Sequence, residues 1–200
     1  MNPETLKQLL QQAPMRANSE TGNIITCPVR LAGPFSLWTP RKAMQAGGPE
    51  KYIARLLFPA AADVSVLKQA VTRVAKENFS NTAGLRNPLH DQAEKEGYDG
   101  YEAGGLFCNA SNTRRPAIVD RSGKHPITDE EEVYAGMWAI CALRLYAYSA
   151  QGNRGIGIGL QHVQKIMDDE KLSGGANPEA DFAPIDVPEA AAGESLEDIF

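Results

Sequence analysis

The sequence predicts a mainly β fold with one prominent α-helix, at about residues 64–78, and a disordered acidic tail. Strict two-residue alternation in residues 133–149 predicts a long strand. A 3.6-residue period in residues 64–78 predicts a helix with one apolar side. After residue 172 the composition changes to Gly, Ala, Pro and acids, which is typical of disorder. The expected organisation is a flexible N-terminal segment (1–22), a folded domain (23–172) and an acidic disordered tail (173–200).

The long predicted strand has two unlike faces. Its odd-numbered positions are apolar and suit a core, because successive strand side chains point to opposite sides. Its even-numbered positions carry aromatic rings and a guanidinium, and such a face is suited to stacking bases. Aromatic side chains also favour strands for packing alone, so contact with a neighbouring loop or helix is the alternative. The residues concerned are Tyr134, Trp138, Arg144, Tyr146 and Tyr148.

A glycine-rich partner follows this strand. Gly152-Asn153 is a hairpin-turn signal, and beyond it apolar residues at 156, 158 and 160 alternate with glycines at 155, 157 and 159. A phosphate-binding loop needs a strand before its glycines and a helix after them, whereas this alternation continues as a strand. The sequence therefore predicts a hairpin of residues 133–149 and 155–166 with Arg154 at its tip. Its glycines leave room for a backbone or a base to approach.

The upstream elements follow from similar signals. Residues 24–32 and 51–58 alternate and predict an antiparallel pair of strands. Asp63 is placed to cap the helix. Residues 106–110 and 117–120 predict shorter extended pieces. The irregular stretch 81–101 is long enough to suggest a functional or mobile segment.

Charge is distributed unevenly along the chain. Residues 166–200 carry ten acids and one base, whereas residues 1–165 carry fifteen acids and nineteen bases. The net charge of −5 therefore divides into −9 for the tail region and +4 for the body. Such an asymmetry is typical of nucleic-acid-binding proteins.

Several classes of protein are disfavoured by the composition. The three cysteines are far apart and in no CxxC pair, which predicts reduced thiols in the cytoplasm and neither a disulfide framework nor a zinc site. The three histidines are equally scattered, so we expect no metal and no cofactor. No apolar run approaches the ~18 residues of a membrane helix, and we expect no membrane partner. The acids of residues 129–132 are a candidate metal site for a nuclease, but a solvated charge run fits them better.

Several stretches between Phe107 and Leu160 together resemble one protein family. They are FCNAS (107–111), RRPAIVD (114–120), VYAGMWA (133–139) and LYAYSAQGNRGIGIGL (145–160), followed by HVQKI (162–166). With KYIARLLFP (51–59) upstream, they resemble bacteriophage single-stranded DNA-binding proteins with an OB-type antiparallel β-barrel, which are similar in architecture to the T7-type phage proteins. The resemblance covers most of residues 24–182. It implies an OB-fold domain at 23–172 and a DNA-binding protein without enzyme activity.

The resemblance also implies a biological role. Such a protein coats single-stranded DNA without sequence preference during phage replication and recombination, in the cytoplasm of the infected bacterial host. Its acidic tail competes with DNA for the basic groove and recruits replication and recombination proteins. The tail residues expected to dock a partner are Glu194, Glu197, Asp198, Ile199 and Phe200.

The candidate DNA contacts combine aromatic rings for bases with cations for phosphates. They are Arg30, Trp38, Arg41, Lys42, Arg55, Arg114, Arg115, Tyr134, Trp138, Arg144, Tyr146, Tyr148 and Arg154. Two other interpretations stay open at this point. The chain is alternatively a phage structural or adaptor protein that uses the aromatic strand as a protein interface, or, with less support, a metal-dependent nuclease. The sequence also allows for a homodimer.

Overall fold

We analysed a computed structural model of the chain, which describes residues 1–42, 48–95, 97–150 and 152–172. The helices are α1 (Pro3–Gln12) and α2 (Ser65–Asn78), and a 3₁₀ turn spans Gln92–Lys95. The strands are β1 (Arg16–Ala17), β2 (Ile24–Ile25), β3 (Val29–Arg41), β4 (Lys51–Phe58), β5 (His90–Asp91), β6 (Leu106–Asn112), β7 (Ala117–Val119), β8 (Trp138–Ala150) and β9 (Asn153–Met167).

Five of the strands close into a ring. β3 pairs with β4, β4 with β6, β6 with β9, β9 with β8, and β8 with β3. The β6–β9 pair is parallel and the other four pairs are antiparallel. A five-stranded, partly open barrel of this kind is the OB fold, so the predicted fold class is confirmed.

The barrel core is apolar. Val29, Leu37, Leu56, Met137 and Leu143 are fully buried in it. The buried stripe of α2 includes Leu67 and Ala70, which join the same core cluster. The predicted helix is thus confirmed, and the Asp63 carboxylate accepts a hydrogen bond from the Ser65 amide at its start (2.8 Å). The three cysteines are free and buried.

The predicted hairpin is confirmed, with shifted ends. β8 and β9 pair antiparallel over nearly their whole length. β8 begins at Trp138, five residues later than predicted, because the chain turns at residues 135–136, where Gly136 adopts a positive φ of 117°. Residues 24–32 give two strands in place of one, namely β2 and the start of β3, and β3 continues through Gly33-Pro34 to Arg41.

Residues 1–22, predicted to be a flexible segment, hold regular structure. Asn2 caps α1, because its side-chain oxygen accepts a hydrogen bond from the Thr5 amide (2.8 Å). Met15 is buried in the core and β1 pairs with β2. No helix in the described part of the chain has the length and apolar character needed to cross a membrane. The predicted acidic tail, 173–200, lies outside the described residues.

Candidate nucleic-acid interface

Two tyrosines of β8 lie across glycines of β9. The strand register places Tyr146 opposite Gly157 and Tyr148 opposite Gly155. A Cβ atom added to Gly157 would lie 2.4 Å from Cζ of Tyr146, and one added to Gly155 would lie 2.9 Å from the Tyr148 hydroxyl. The rings therefore occupy the space that side chains would fill. We call the three cross-strand pairs Arg144–Gly159, Tyr146–Gly157 and Tyr148–Gly155 the tyrosine–glycine ladder.

A groove runs along this ladder. It consists of two adjoining cavities of about 740 Å³ and 270 Å³ that share Tyr146 and Ser111. We call it the ladder groove. β6 supplies Asn109, Ser111 and Asn112 to its polar lining, whereas β9 supplies mainly glycine and isoleucine. Its cations come from residues 86–90, from β4 and from β8. The cations are Arg86 and His90 in the larger cavity and Lys51 and Arg144 in the smaller one, His90 being cationic only when protonated.

The groove exists because β6 and β9 separate. Their register contains a single pair, Ser111 with Gly159. The opening is bridged by residues 79–91, which we call the crossing segment. Arg86 pairs with Gly155 of β9, and His90 pairs with Phe107 of β6. The crossing segment therefore forms one wall of the larger cavity.

Two arginines beside the groove are held by neutral oxygen atoms. The Arg144 guanidinium donates to the Asn23 side chain (3.2 Å) and to the Thr21 carbonyl (2.6 Å). The Arg55 guanidinium donates to Asn109 Oδ1 (2.8 Å) and to the Tyr101 hydroxyl (2.7 Å). No carboxylate within the described ranges forms a salt bridge with either guanidinium, so both charges stay available to an anion.

Comparisons with known proteins identify the family of this chain. A family model described as the Enterobacter phage Enc34 ssDNA-binding protein matches residues 22–194. The chain belongs to this family. It is also 31% identical over 160 residues to a putative protein, p50, of Acyrthosiphon pisum secondary endosymbiont phage 1, covering 74% of this chain and 84% of that protein.

Solved structures agree in fold. The single-stranded DNA-binding protein of bacteriophage Enc34, solved in complex with ssDNA, has a TM-score of 0.68 at 18% identity, covering 82% of this chain and 99% of that one. The single-stranded DNA-binding protein encoded by bacteriophage T7 has a TM-score of 0.53 at 12% identity, covering 81% and 99%. At these identities the likeness concerns the fold alone.

In this member of the Enc34 family, the structure separates the predicted contacts into groups. Arg144, Tyr146 and Tyr148 lie in the ladder groove, and Arg55 adjoins it through Asn109. Arg154 lies at the start of β9, where its guanidinium donates to the Ala83 carbonyl of the crossing segment (3.2 Å). Arg55, Arg144, Tyr146 and Tyr148 form the candidate DNA-binding face. Arg154 is in register with Ser149 and lies outside the lining of both cavities.

A second group surrounds Asp169, away from the ladder. The Trp138 indole N–H donates to the Asp169 carboxylate (2.7 Å), and Trp138 is only 7% exposed. The Tyr134 hydroxyl donates to the Asp168 carboxylate (2.7 Å), and the Arg30 guanidinium to the carbonyls of Gly136 (3.2 Å) and Glu170 (3.0 Å). The Trp138 ring is covered by this segment and presents little surface on which a base could stack, and its role as a DNA contact stays a prediction. All three residues hold the segment 168–172 against the barrel.

A third group lies beyond the smaller cavity. The Arg115 guanidinium lies 3.9 Å from the centre of the half-buried Trp38 ring and covers one of its faces. Arg114 and Arg115 follow Thr113, which lines the cavity. Arg41 is paired with Lys51 in the β3–β4 register, and Lys42 follows it. Arg41, Lys42, Arg114 and Arg115 are all exposed and extend the cationic surface at this end of the groove.

Sequence reasoning missed several groove residues. Asn109 and Ser111 are the outward positions of β6, so the alternation of that strand carried a usable signal. Arg86 and His90 lie in an irregular stretch whose path depends on distant strands, and no local pattern indicated them. The predicted tail contacts, 194–200, lie outside the described residues.

Two arrangements that catalysis often uses are a metal-ligand cluster and a Ser-His-Asp triad. Residues 129–132 are exposed, and the Asp129 carboxylate accepts from the Glu131 amide (2.9 Å), which closes a turn. No three metal-ligating side chains come together in the described ranges. Asp120 and Ser122 both approach Nδ1 of His125, at 3.0 and 3.4 Å. A catalytic triad needs the serine hydroxyl on one ring nitrogen of the histidine and the aspartate on the other, so these three residues do not form one.

Asp169 should make stability depend on pH. Partial burial acts to raise its pKa, but hydrogen bonds from the N-terminal ammonium and the Trp138 indole outweigh it and lower the pKa from 3.8 to about 2. A depressed pKa contributes stability above the unfolded-state value, which is lost as pH falls through the folded-state value. We expect Asp169→Asn to reduce the free energy of unfolding at pH 7 by roughly 1–2 kcal/mol.

The measurement is urea denaturation of both proteins at several pH values. The difference between them should shrink as pH falls from about 5 to about 2, where the wild-type carboxylate becomes protonated. Asp99→Asn is the control, because Asp99 is exposed and forms no ion pair within the described ranges. A difference between Asp169→Asn and wild type that does not change with pH would contradict this assignment.

Proposed function

We propose that this protein binds single-stranded DNA in the ladder groove, without sequence preference, during phage replication and recombination in the cytoplasm of the infected host. The observation that carries the proposal is the pair of tyrosine rings laid across glycine backbone in a cation-lined groove. OB folds bind oligonucleotides on the face of their second and third strands and in the loops joining strands 1–2 and 4–5. In this barrel those strands are β4 and β6, and the 4–5 loop is the β8–β9 turn. Membership of the Enc34 family supports the same function.

The chemistry of the groove suits bases of any sequence. Every base has a π-face, so stacking on Tyr146 or Tyr148 does not depend on base identity. Tyr146 is 42% exposed, which leaves ring surface available to a base. Arg55, Arg144 and Lys51 supply charge for the phosphates along the same face. We assign no catalytic role to the protein.

We propose that the acidic tail competes with DNA for the ladder groove. The last described residue, Leu172, packs with Tyr101 and Phe107, and the Arg55 guanidinium lies 5.0 Å from the centre of the Phe107 ring. The segment that follows carries seven acids and no base in residues 173–200. The sequence predicts disorder there, and a disordered chain of 28 residues has a root-mean-square span of about 30 Å. The acids are thus tethered at high effective concentration beside the groove.

We propose that DNA displaces the tail and that Ile199 and Phe200 then dock a replication or recombination protein. Deleting residues 194–200 removes three acids, and we expect DNA affinity at low salt to rise several-fold, with the gain shrinking as salt screens the tail. The control replaces Glu194, Glu197 and Asp198 by Gln, Gln and Asn, and should reproduce the gain. Weaker DNA binding by the deletion variant would contradict the competition.

The function is tested by titrating labelled oligo-dT and following fluorescence anisotropy. A labelled oligonucleotide is preferable to intrinsic fluorescence, because Trp138 is buried against Asp169. We expect binding that weakens steeply with salt, since phosphate binding releases counterions. Equal binding of oligo-dT, oligo-dC and oligo-dA would support the lack of sequence preference. Absence of binding at low salt would overturn the proposal and favour a structural or adaptor role. The homodimer stays a prediction.

A further inference from the structure

The side chain of Arg154 lies on the face of β9 that is turned away from the ladder groove. Successive strand side chains point to opposite faces, and the next residue, Gly155, is paired with Tyr148 in the ladder. The Arg154 guanidinium instead donates to the Ala83 carbonyl (3.2 Å) and lies 6.0 Å from the centre of the Phe79 ring. Both of these partners belong to the crossing segment. Arg154 therefore fastens this segment to β9 from outside the groove.

We propose that Arg154 is a positioning residue for DNA binding. It holds the crossing segment against β9, and the segment presents Arg86 to a phosphate of the strand whose base stacks on Tyr148. This inference rests on the proposed function. It adds one phosphate contact to that function, together with the residue that positions the contact.

Backbone hydrogen bonds join the crossing segment to β9 at the same point. The Arg86 amide donates to the Arg154 carbonyl (2.9 Å), and the Ile156 amide donates to the Arg86 carbonyl (3.3 Å). These bonds make a parallel bridge between Arg86 and Gly155. The Arg154 side chain adds a third hydrogen bond between the same two elements.

Arg86 leaves this bridge on the groove side. A Cβ atom added to Gly155 would lie 2.8 Å from the Arg86 Cβ and 2.9 Å from the Tyr148 hydroxyl. Because both atoms approach the same point, the Arg86 side chain begins next to the Tyr148 hydroxyl, and both residues line the larger cavity. Gly155 leaves room for them, since a side chain there would also clash with the Arg86 carbonyl oxygen (2.7 Å).

The charge of Arg86 is available to an anion. Arg86 is exposed and forms no ion pair within the described ranges. Glu94, a carboxylate of the cavity lining, has its Oε2 atom 3.5 Å from Nδ1 of His90. A guanidinium has five N–H donors in a planar fork, and this fork matches the oxygen atoms of a phosphate. The ligand of Arg86 is therefore a phosphodiester beside the base on Tyr148.

The test measures the affinity of the full chain for labelled oligo-dT over a range of salt concentrations. One phosphate contact on a single strand contributes about −0.7 to the slope of log K against log salt. Arg86→Ala should make the slope less negative by about this amount and weaken binding roughly tenfold at about 50 mM salt. Arg73→Ala, which removes an exposed arginine of α2, should bind as wild type does.

A double-mutant cycle tests whether Arg154 acts through the crossing segment. Arg154→Ala should weaken binding roughly threefold, because the loosened segment no longer holds Arg86 in place. The double variant should bind nearly as Arg86→Ala does, with the same slope, because it has no Arg86 contact left to position. Arg154→Lys should recover part of the loss, since its ammonium can also donate to the Ala83 carbonyl.

Hydrogen exchange reports the position of the segment without DNA. Arg154→Ala should speed the exchange of the Arg86 and Ile156 amides, which donate across the bridge. Arg86→Ala is the control, because it keeps the backbone bonds and should leave the Ile156 amide as protected as in wild type. Unchanged exchange of both amides in Arg154→Ala would overturn the positioning role.

The outcomes of the binding experiment separate this inference from the proposed function. If wild type does not bind oligo-dT, the proposed function itself fails. If wild type binds and Arg86→Ala keeps the wild-type slope, the phosphate contact is overturned while the function stands. If the two single losses multiply in the double variant, Arg154 acts independently of Arg86 and its positioning role is overturned. A loss in Arg73→Ala as large as in Arg86→Ala would show an effect of net charge and would also overturn the inference.

Discussion

Replacing Tyr146 and Tyr148 together by alanine is expected to weaken oligo-dT binding by roughly 2–6 kcal/mol, since each stacked base contributes about 1–3 kcal/mol. The structure gives a reason for a loss of this size. Each ring lies across a glycine of β9 in the groove, so it offers a base a flat surface that is already oriented. The measurement is anisotropy of labelled oligo-dT at fixed, moderate salt.

Two controls define what this loss means. The double variant with phenylalanine should retain most of the affinity, because phenylalanine keeps the ring and removes only the hydroxyl. Tyr98→Ala removes a ring that is 65% exposed but does not line the ladder groove. It should bind as wild type does. Equal losses in Tyr98→Ala and the ladder variant, or no loss in the latter, would contradict the assignment.

The middle of the long strand was predictable because its environment is regular. In residues 139–148 every odd position is buried or half-buried toward the core, and the even positions that carry Arg144, Tyr146 and Tyr148 face the groove. The same alternation fails at Trp138. There the outward side is covered by the segment 168–172, which a strand's own sequence does not reveal.

The opening between β6 and β9 could not be read from the sequence. It depends on two strands that lie about fifty residues apart and touch at one register pair. The crossing segment fills part of that opening through one backbone bridge to β9 and two register pairs with β6. Such pairings leave no periodic signal, so the sequence identified only a long irregular stretch. The sequence indicated that other groups could approach the glycines of β9 closely. Which group approaches each glycine depends on the tertiary structure and could not be predicted.

Gly136→Ala is expected to lower the free energy of unfolding by roughly 3–5 kcal/mol, which combines backbone strain with a clash. Gly136 has φ of +117°, a conformation that L side chains rarely adopt. An added Cβ would lie 2.1 Å from the Glu170 carbonyl oxygen and 2.8 Å from the Leu172 amide nitrogen. The measurement is urea denaturation at neutral pH, with Gly152→Ala for comparison.

The comparison separates the clash from the strain. Gly152 also has a positive φ, +79°, but an added Cβ would meet no atom within 4 Å. Gly152→Ala should therefore lower the free energy of unfolding by the backbone strain alone, roughly 1–2 kcal/mol. Equal losses in the two variants would show that contact with residues 170–172 contributes nothing.

The Gly136→Ala variant also tests whether attachment of residues 170–172 to the barrel affects DNA binding. Displacing residues 170–172 frees only a few residues at the base of a 28-residue tail. Effective concentration changes little for so small an increase in tether length, and the ladder groove is formed by other strands. Gly136→Ala should therefore be less stable while binding oligo-dT with nearly wild-type affinity at temperatures where it is folded. A large change in affinity would mean that the segment 168–172 shapes the groove itself.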